Sequence, residues 1–274
     1  MTTADPAVHE QLTTTRKREW PWARLVRAEL LKLRRRYGLM AFAALLTVVP
    51  MVIGYSVTVF LHATDAAHHG PGGGIDNLSG SIDVLQTLGG VAALLIGATL
   101  GAGDLGAGVF RELVVTGRSR IALYTARIPA GIAVLMAFVT TAFLITAVGS
   151  VVCAGSLESP STALLARCFG WVTLTTLTSL ALGIGVASLI GSRSTSIGIL
   201  LAWQLALSHL LLAFSFLGVT RDALLPAATA RLAPAALDIN PPITISLAAA
   251  ALTITIWTLT ALALGGWRTA TRDA

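Results

Sequence analysis

Six stretches of this chain, 38–61, 84–103, 128–152, 169–190, 197–217 and 243–264, contain no Asp, Glu, Lys or Arg. Each is long enough to cross a hydrocarbon core of about 30 Å as a helix. Lipid offers no partner to a backbone N–H or C=O, so a crossing segment must satisfy its own hydrogen bonds. A water-soluble domain has roughly a quarter of its residues charged. Here 12% of 274 residues are charged and 55% are hydrophobic. The expected fold is therefore all-α and integral to a membrane, with six transmembrane helices between residues 38 and 264. The first apolar run is too long for the core of a cleavable signal peptide, which is about 7–15 residues. Pro50 is expected to kink the first span, and Pro129 to sit near the start of the third, where proline is tolerated.

The basic residues orient the spans. Nine of nineteen precede Gly38, four lie in 104–127, one in 191–196 and two after residue 264; the alternate segments hold only Arg167, Arg221 and Arg231. Sixteen against three places both termini in the cytoplasm by the positive-inside rule. The net charge of +6 thus serves topology and anionic lipid. Aromatic residues make up 6% and form no stacking platform, which argues against nucleic acid as a partner. Arginine outnumbers lysine 17 to 2, which fits a GC-rich bacterial genome and a bacterial cytoplasmic membrane.

Residues 1–19 are polar and expected to be a disordered cytoplasmic tail. Across 20–37, Trp22, Val26, Leu30, Leu33 and Tyr37 form an apolar stripe, with Arg24, Arg27, Arg34 and Arg35 mostly turned away. A basic helix with one apolar stripe lies in the membrane interface. Glu29 stands near that stripe, either paired with Lys32 one turn on or reaching a partner on the cytoplasmic loop. That loop, 103–127, carries four arginines and two acids. Leu105, Val109 and Leu113 recur every four residues in it, and Gly117 and Ser119 supply a stop and a cap. It reads as a short amphipathic helix at the membrane surface. Residues 265–274 form a second cytoplasmic tail.

The outer segments are less regular. Residues 62–83 carry His62, Asp65, His68 and His69, either a weak metal site or a solvated flexible loop. From Arg221 to Pro242, short apolar pieces broken by proline read as a partly re-entrant hairpin. Gly97 and Gly101 form a small-residue face for close helix packing, within the bundle or at a dimer seam. Cys153 and Cys168 lie near the outer ends of adjacent spans, either bridged or as two free thiols.

Familiar catalytic chemistry is missing. No phosphate-binding Gly-x-x-x-x-Gly-Lys-Ser/Thr loop, His-Glu-x-x-His pair or Gly-x-Ser-x-Gly elbow occurs in the sequence. No cofactor is expected. The spans hold only neutral polar groups, of which Gln86, Gln204, His209 and Thr176 are candidates for a substrate path. Their threonines are equally explained as back-bonding helix residues, and His209 as a structural or pore-facing group. Ion-coupled carriers usually keep charged residues inside their spans. If this is a transporter, its energy is expected from another chain.

The basic segment 27–36 (Arg-Ala-Glu-Leu-Leu-Lys-Leu-Arg-Arg-Arg), the six spans, the loop 109–120 (Val-Phe-Arg-Glu-Leu-Val-Val-Thr-Gly-Arg-Ser-Arg) and the proline-broken outer hairpin together resemble the membrane subunit of ABC-2-type ABC transporters, mostly exporters. The resemblance runs over nearly the whole chain after residue 20. It implies a permease that is not itself an enzyme, with ATP hydrolysis on a separate ATP-binding cassette subunit and a second permease subunit, identical or not, around the substrate path. It also implies that the loop is a coupling helix, with Phe110, Arg111, Glu112, Leu113 and Arg118 touching the ATPase and Glu29 and Lys32 beside them. Headgroup anchoring is the competing role for the arginines. A non-transporting assembly factor or sensor that binds another partner through the loop is the alternative for the whole chain.

Overall fold

The computed structural model describes residues 21–106, 119–237 and 245–271. Among these, every regular element is helical. They are α1 (Pro21–Arg34), α2 (Tyr37–Thr64), α3 (Gly74–Gly106), α4 (Arg120–Val152), α5 (Thr162–Ile190) and α6 (Arg193–Ala202). A single π-helical turn, Trp203–Leu207, joins α6 to α7 (Ser208–Ala213). A 3₁₀ segment (Ser215–Ala223), α8 (Leu225–Arg231), a 3₁₀ turn (Ala235–Leu237) and α9 (Leu247–Thr271) complete the chain. Six helical runs are long and apolar enough to cross a membrane: α2, α3, α4, α5, α9, and α6 to α7 taken together.

The helices overrun the charge-free windows. α3 begins at Gly74, so the first outer connection is much shorter than residues 62–83. α4 begins at Arg120, which puts Pro129 well inside the helix rather than in its first turn. Its missing N–H deprives the Thr125 carbonyl of a helical donor. Pro50 also lies within a helix that continues to Thr64. Between α5 and α6 only Gly191 and Ser192 intervene. Gly191, at φ 79°, ends one helix in the left-handed conformation, and the Ser192 hydroxyl accepts from the Thr195 N–H at 3.5 Å to begin the next.

α3 and α5 form the centre, and most of each is buried. They touch along glycines. A methyl group on Gly97 would stand 2.5 Å from the Leu180 carbonyl oxygen, and one on Gly101 2.5 Å from that of Ile184. The small-residue face is therefore used inside the chain, leaving these two glycines no part in a dimer seam. On its other side α5 meets α9 through Gly185 and Gly265. α2, α9 and the α6–α7 run are peripheral. Phe42, Ile53 and Phe60 of α2 and Leu252, Ile256 and Leu259 of α9 are exposed. Such a belt of apolar side chains has its natural solvent in lipid.

α1 packs against α4. It buries Leu33 and Glu29, while Trp22 and Tyr37, expected on the same stripe, are exposed. The chain turns at Arg35 and Arg36, so helical periodicity cannot be carried through to Tyr37. Cys153 and Cys168 are free thiols.

Candidate functional site

Two places concentrate polar groups within this apolar frame. The first is the end of the bundle where the basic segments meet. Arg36, at the α1–α2 junction, lies against Gly103 near the end of α3. The Arg120 Nη1 donates to the Ala270 carbonyl of α9 at 3.3 Å. Arg127 is 1% exposed and donates through Nη1 to the Gly101 carbonyl at 3.2 Å. The same carbonyl accepts from the Ser188 hydroxyl of α5 at 3.3 Å. Thus α1, the ends of α3, α5 and α9 and the start of α4 gather at one end, and Gly106 and Ser119, which flank residues 107–118, lie there too.

Glu29 and Lys32 form an ion pair on α1, Lys32 Nζ to Glu29 Oε1 at 2.6 Å. Glu29 is buried, which leaves the Lys32 ammonium as the more accessible member. The remaining loop residues singled out by the sequence, Phe110, Arg111, Glu112, Leu113 and Arg118, lie outside the described residues.

The second place is a cavity of about 280 Å³ within the bundle. α3 lines it with Gln86 and Thr87, and α5 with Thr175, Ser179 and Leu182. The π turn adds Trp203, Gln204 and Leu205, α7 adds Ser208 and His209, and α8 adds Leu225, Pro226 and Thr229. Three of the four neutral polar residues picked from the sequence, Gln86, Gln204 and His209, therefore share one wall space. Thr176 does not. Its hydroxyl donates to the Val172 carbonyl at 2.7 Å, and its methyl faces Gly89 of α3.

Local structure explains how the cavity is held open. Trp171 Nε1 donates to the Thr229 carbonyl at 2.8 Å, which ties α8 to α5. Ser79 Oγ donates to the Leu237 carbonyl at 3.0 Å, and Arg231 Nε to that of Ile245 at 2.8 Å. The proline-broken segment is thus pinned to α3, α5 and the approach to α9. The π turn, closed by the Ser208 N–H on the Trp203 carbonyl, puts an extra residue into the wall. Such turns are often found at functional sites. Gly90 of α3 has no side chain to oppose the Gln204 amide, which lies directly over it.

The cavity wall contains no Asp, Glu, Lys or Arg among the described residues. Among the described residues no group of three or more His, Cys, Asp and Glu is placed to hold a metal ion. In the α2–α3 connection, His68 Nδ1 pairs with Asp65 Oδ2 at 2.7 Å and His62 Nδ1 meets the His69 carbonyl at 2.7 Å.

Sequence reasoning missed Arg127 as an interior residue, because it marked the edge of a charged loop. It also missed the π turn, for which the composition of 203–207 gives no cue. No protein-family model matches this chain, and no curated protein matches it.

Proposed function

We propose that this chain is the permease subunit of an ABC-2-type ATP-binding cassette exporter. It forms the substrate path with a second permease subunit and is driven by a separate ATPase. The observation that carries this reading is the basic end of the bundle. One surface there joins α1, the approaches to the 107–118 loop and the end of α9. A rigid plate of that kind can pass a push on the loop directly into α3, α4 and α5.

In this reading the basic end is cytoplasmic, and both termini lie on that side of a bacterial cytoplasmic membrane. The exposed Trp22 and Tyr37 rings and the arginines of α1 anchor it among headgroups. The loop helix docks in the ATPase through Phe110, Arg111, Glu112, Leu113 and Arg118. Lys32 contributes beside it, oriented by Glu29.

Two experiments test the proposal. In a background with Cys153 and Cys168 replaced by alanine, Ala67→Cys in the exposed α2–α3 connection should react with an impermeant thiol reagent applied to intact cells. Gly117→Cys should react only after permeabilisation, and the opposite pattern would reverse the orientation. For coupling, the tagged chain is purified from its native membrane and its copurifying partner identified, an ATP-binding cassette protein being expected. Phe110→Ala with Glu112→Ala should leave insertion intact and weaken the complex about thirtyfold, the equivalent of one hot-spot side chain at ~2 kcal/mol. Undiminished ATPase binding in that variant, or copurification with a partner that is no ATPase, would remove the coupling role.

A further inference from the structure

We infer that the cavity between α3, α5, the π turn and α8 is a binding site for an uncharged, oxygen-rich amphiphile, such as an alkyl glycoside, held within a single subunit. Its assignment as cargo rests on the permease reading; its existence as a binding site does not.

The chemistry of the wall sets the ligand class. The hydroxyls of Thr175, Ser208 and Thr229 donate to the Val172, Gln204 and Leu225 carbonyls, and the single Ser179 proton is shared between the Thr175 carbonyl at 3.1 Å and the Gln204 side-chain oxygen at 3.5 Å. Their oxygens can still accept, but they have no proton left to offer. The Gln86 and Gln204 side-chain nitrogens and the Trp203 indole nitrogen have no hydrogen-bond acceptor among the described residues. The Gln86 oxygen accepts from Thr87 at 3.4 Å and the Gln204 oxygen from Ser179 at 3.5 Å, which turns both amides to offer N–H groups. The Trp171 and Trp257 indoles, by contrast, donate to the Thr229 and Ala223 carbonyls at 2.8 and 2.9 Å.

A wall with surplus N–H donors at membrane depth calls for acceptors, because unsatisfied donors in an apolar medium are costly. Carbonyl, ether and sugar oxygens supply them. A fixed charge on the ligand is disfavoured, since no Asp, Glu, Lys or Arg lines the site among the described residues and its desolvation would go uncompensated. Leu182, Leu205, Leu225 and the Trp203 ring provide the apolar side. At about 280 Å³ the site lies just below the usual range for ligand pockets, roughly 300–1,000 Å³. It therefore takes one ring and part of a chain.

The test uses the full-length chain in phosphatidylcholine nanodiscs without any ATPase, so its result is separable from the coupling experiment. The probe is hexyl β-glucoside carrying a diazirine on its chain, mapped by peptide mass spectrometry. Labelling should concentrate in 203–209 and 225–229. Octyl glucoside below its micellar concentration should suppress it, while octyl sulfate and octyltrimethylammonium should not. Gln86→Leu with Gln204→Leu should weaken binding about thirtyfold, the equivalent of two hydrogen bonds of ~1 kcal/mol each. Gly90→Ala is the milder variant. Its methyl displaces only the flexible end of Gln204, so binding should fall while the melting temperature holds. Thr176→Val, outside the cavity, should leave binding unchanged. Labelling spread evenly over lipid-facing helices, equal competition by octyl sulfate, or unaltered binding in both the Gln86/Gln204 and Gly90 variants would overturn the inference.

Discussion

Leucine at Gly97 together with leucine at Gly101 will leave the chain unable to close its central helix pair, and the purified protein will be aggregated or absent. The competing effects have opposite signs. Replacing a helical glycine raises helix propensity by up to ~1 kcal/mol. Overfilling a packed interface costs about 1–3 kcal/mol for modest additions, and occasionally more. At Gly97 and Gly101 the nearest obstacles are the Leu180 and Ile184 carbonyl oxygens at 2.5 Å, which are backbone and cannot swing aside. The steric term therefore wins, twice over, at the most buried pair in the molecule. Gly80, on the same helix, has nothing within 4 Å of where a side chain would start. Gly80→Leu should be neutral or slightly stabilising. Size-exclusion profiles and thermal melts of the two variants decide the matter, and a wild-type melt for the Gly97/Gly101 variant would mean that α3 and α5 do not meet as described.

Arg127→Met is expected to destabilise the protein by about 2 kcal/mol, with Arg127→Lys recovering only part of it. A hydrogen bond to a charged group contributes about 1.5–3 kcal/mol. The Arg127 side chain is almost wholly enclosed and donates to the Gly101 carbonyl at 3.2 Å. Lysine keeps the charge but loses the planar guanidinium with its five donors. Ser188 donates to the same oxygen, so the two donors back each other up. A double-mutant cycle of Arg127→Met with Ser188→Ala should show a coupling of at least ~0.5 kcal/mol, as residues sharing a partner usually do. Strict additivity, with an Arg127→Met effect below ~0.5 kcal/mol, would show that the α3–α4–α5 junction does not depend on this contact.

The apolar runs announced the six helices because the physics there is one-dimensional: a charge-free stretch of sufficient length has one solution in lipid. Their ends were less visible. Asp76 and Asp83 fall within α3 and Arg120 and Arg127 within α4. A charge tolerated in the first turns of a helix looks the same in sequence as one in a loop. The cavity was half legible. Gln86, Gln204 and His209 stood out as polar groups in apolar runs, but so did Thr176, and only the packing angle of α5 separates it from Thr175 and Ser179. Arg127 was hidden for a different reason. Its burial depends on Gly101, twenty-six residues earlier, and no local pattern encodes that meeting. On α1, the stripe held for Leu30 and Leu33 and failed at Tyr37, where the chain leaves the helix.

The π turn has a consequence for descent. An i+5 hydrogen bond from Ser208 back to Trp203 accommodates one residue more than an α-helical turn. A lineage could reach this structure by a single-codon insertion between 203 and 207, and lose it by a single-codon deletion. Deletion would rotate everything beyond it by about 100°, the angle of one helical residue, carrying Ser208 and His209 off the cavity wall while leaving the hydropathy of the span nearly unchanged. A one-residue gap here would thus mark a rebuilt cavity wall among related chains of like hydropathy, and it should be sought in alignments before any substitution is weighed.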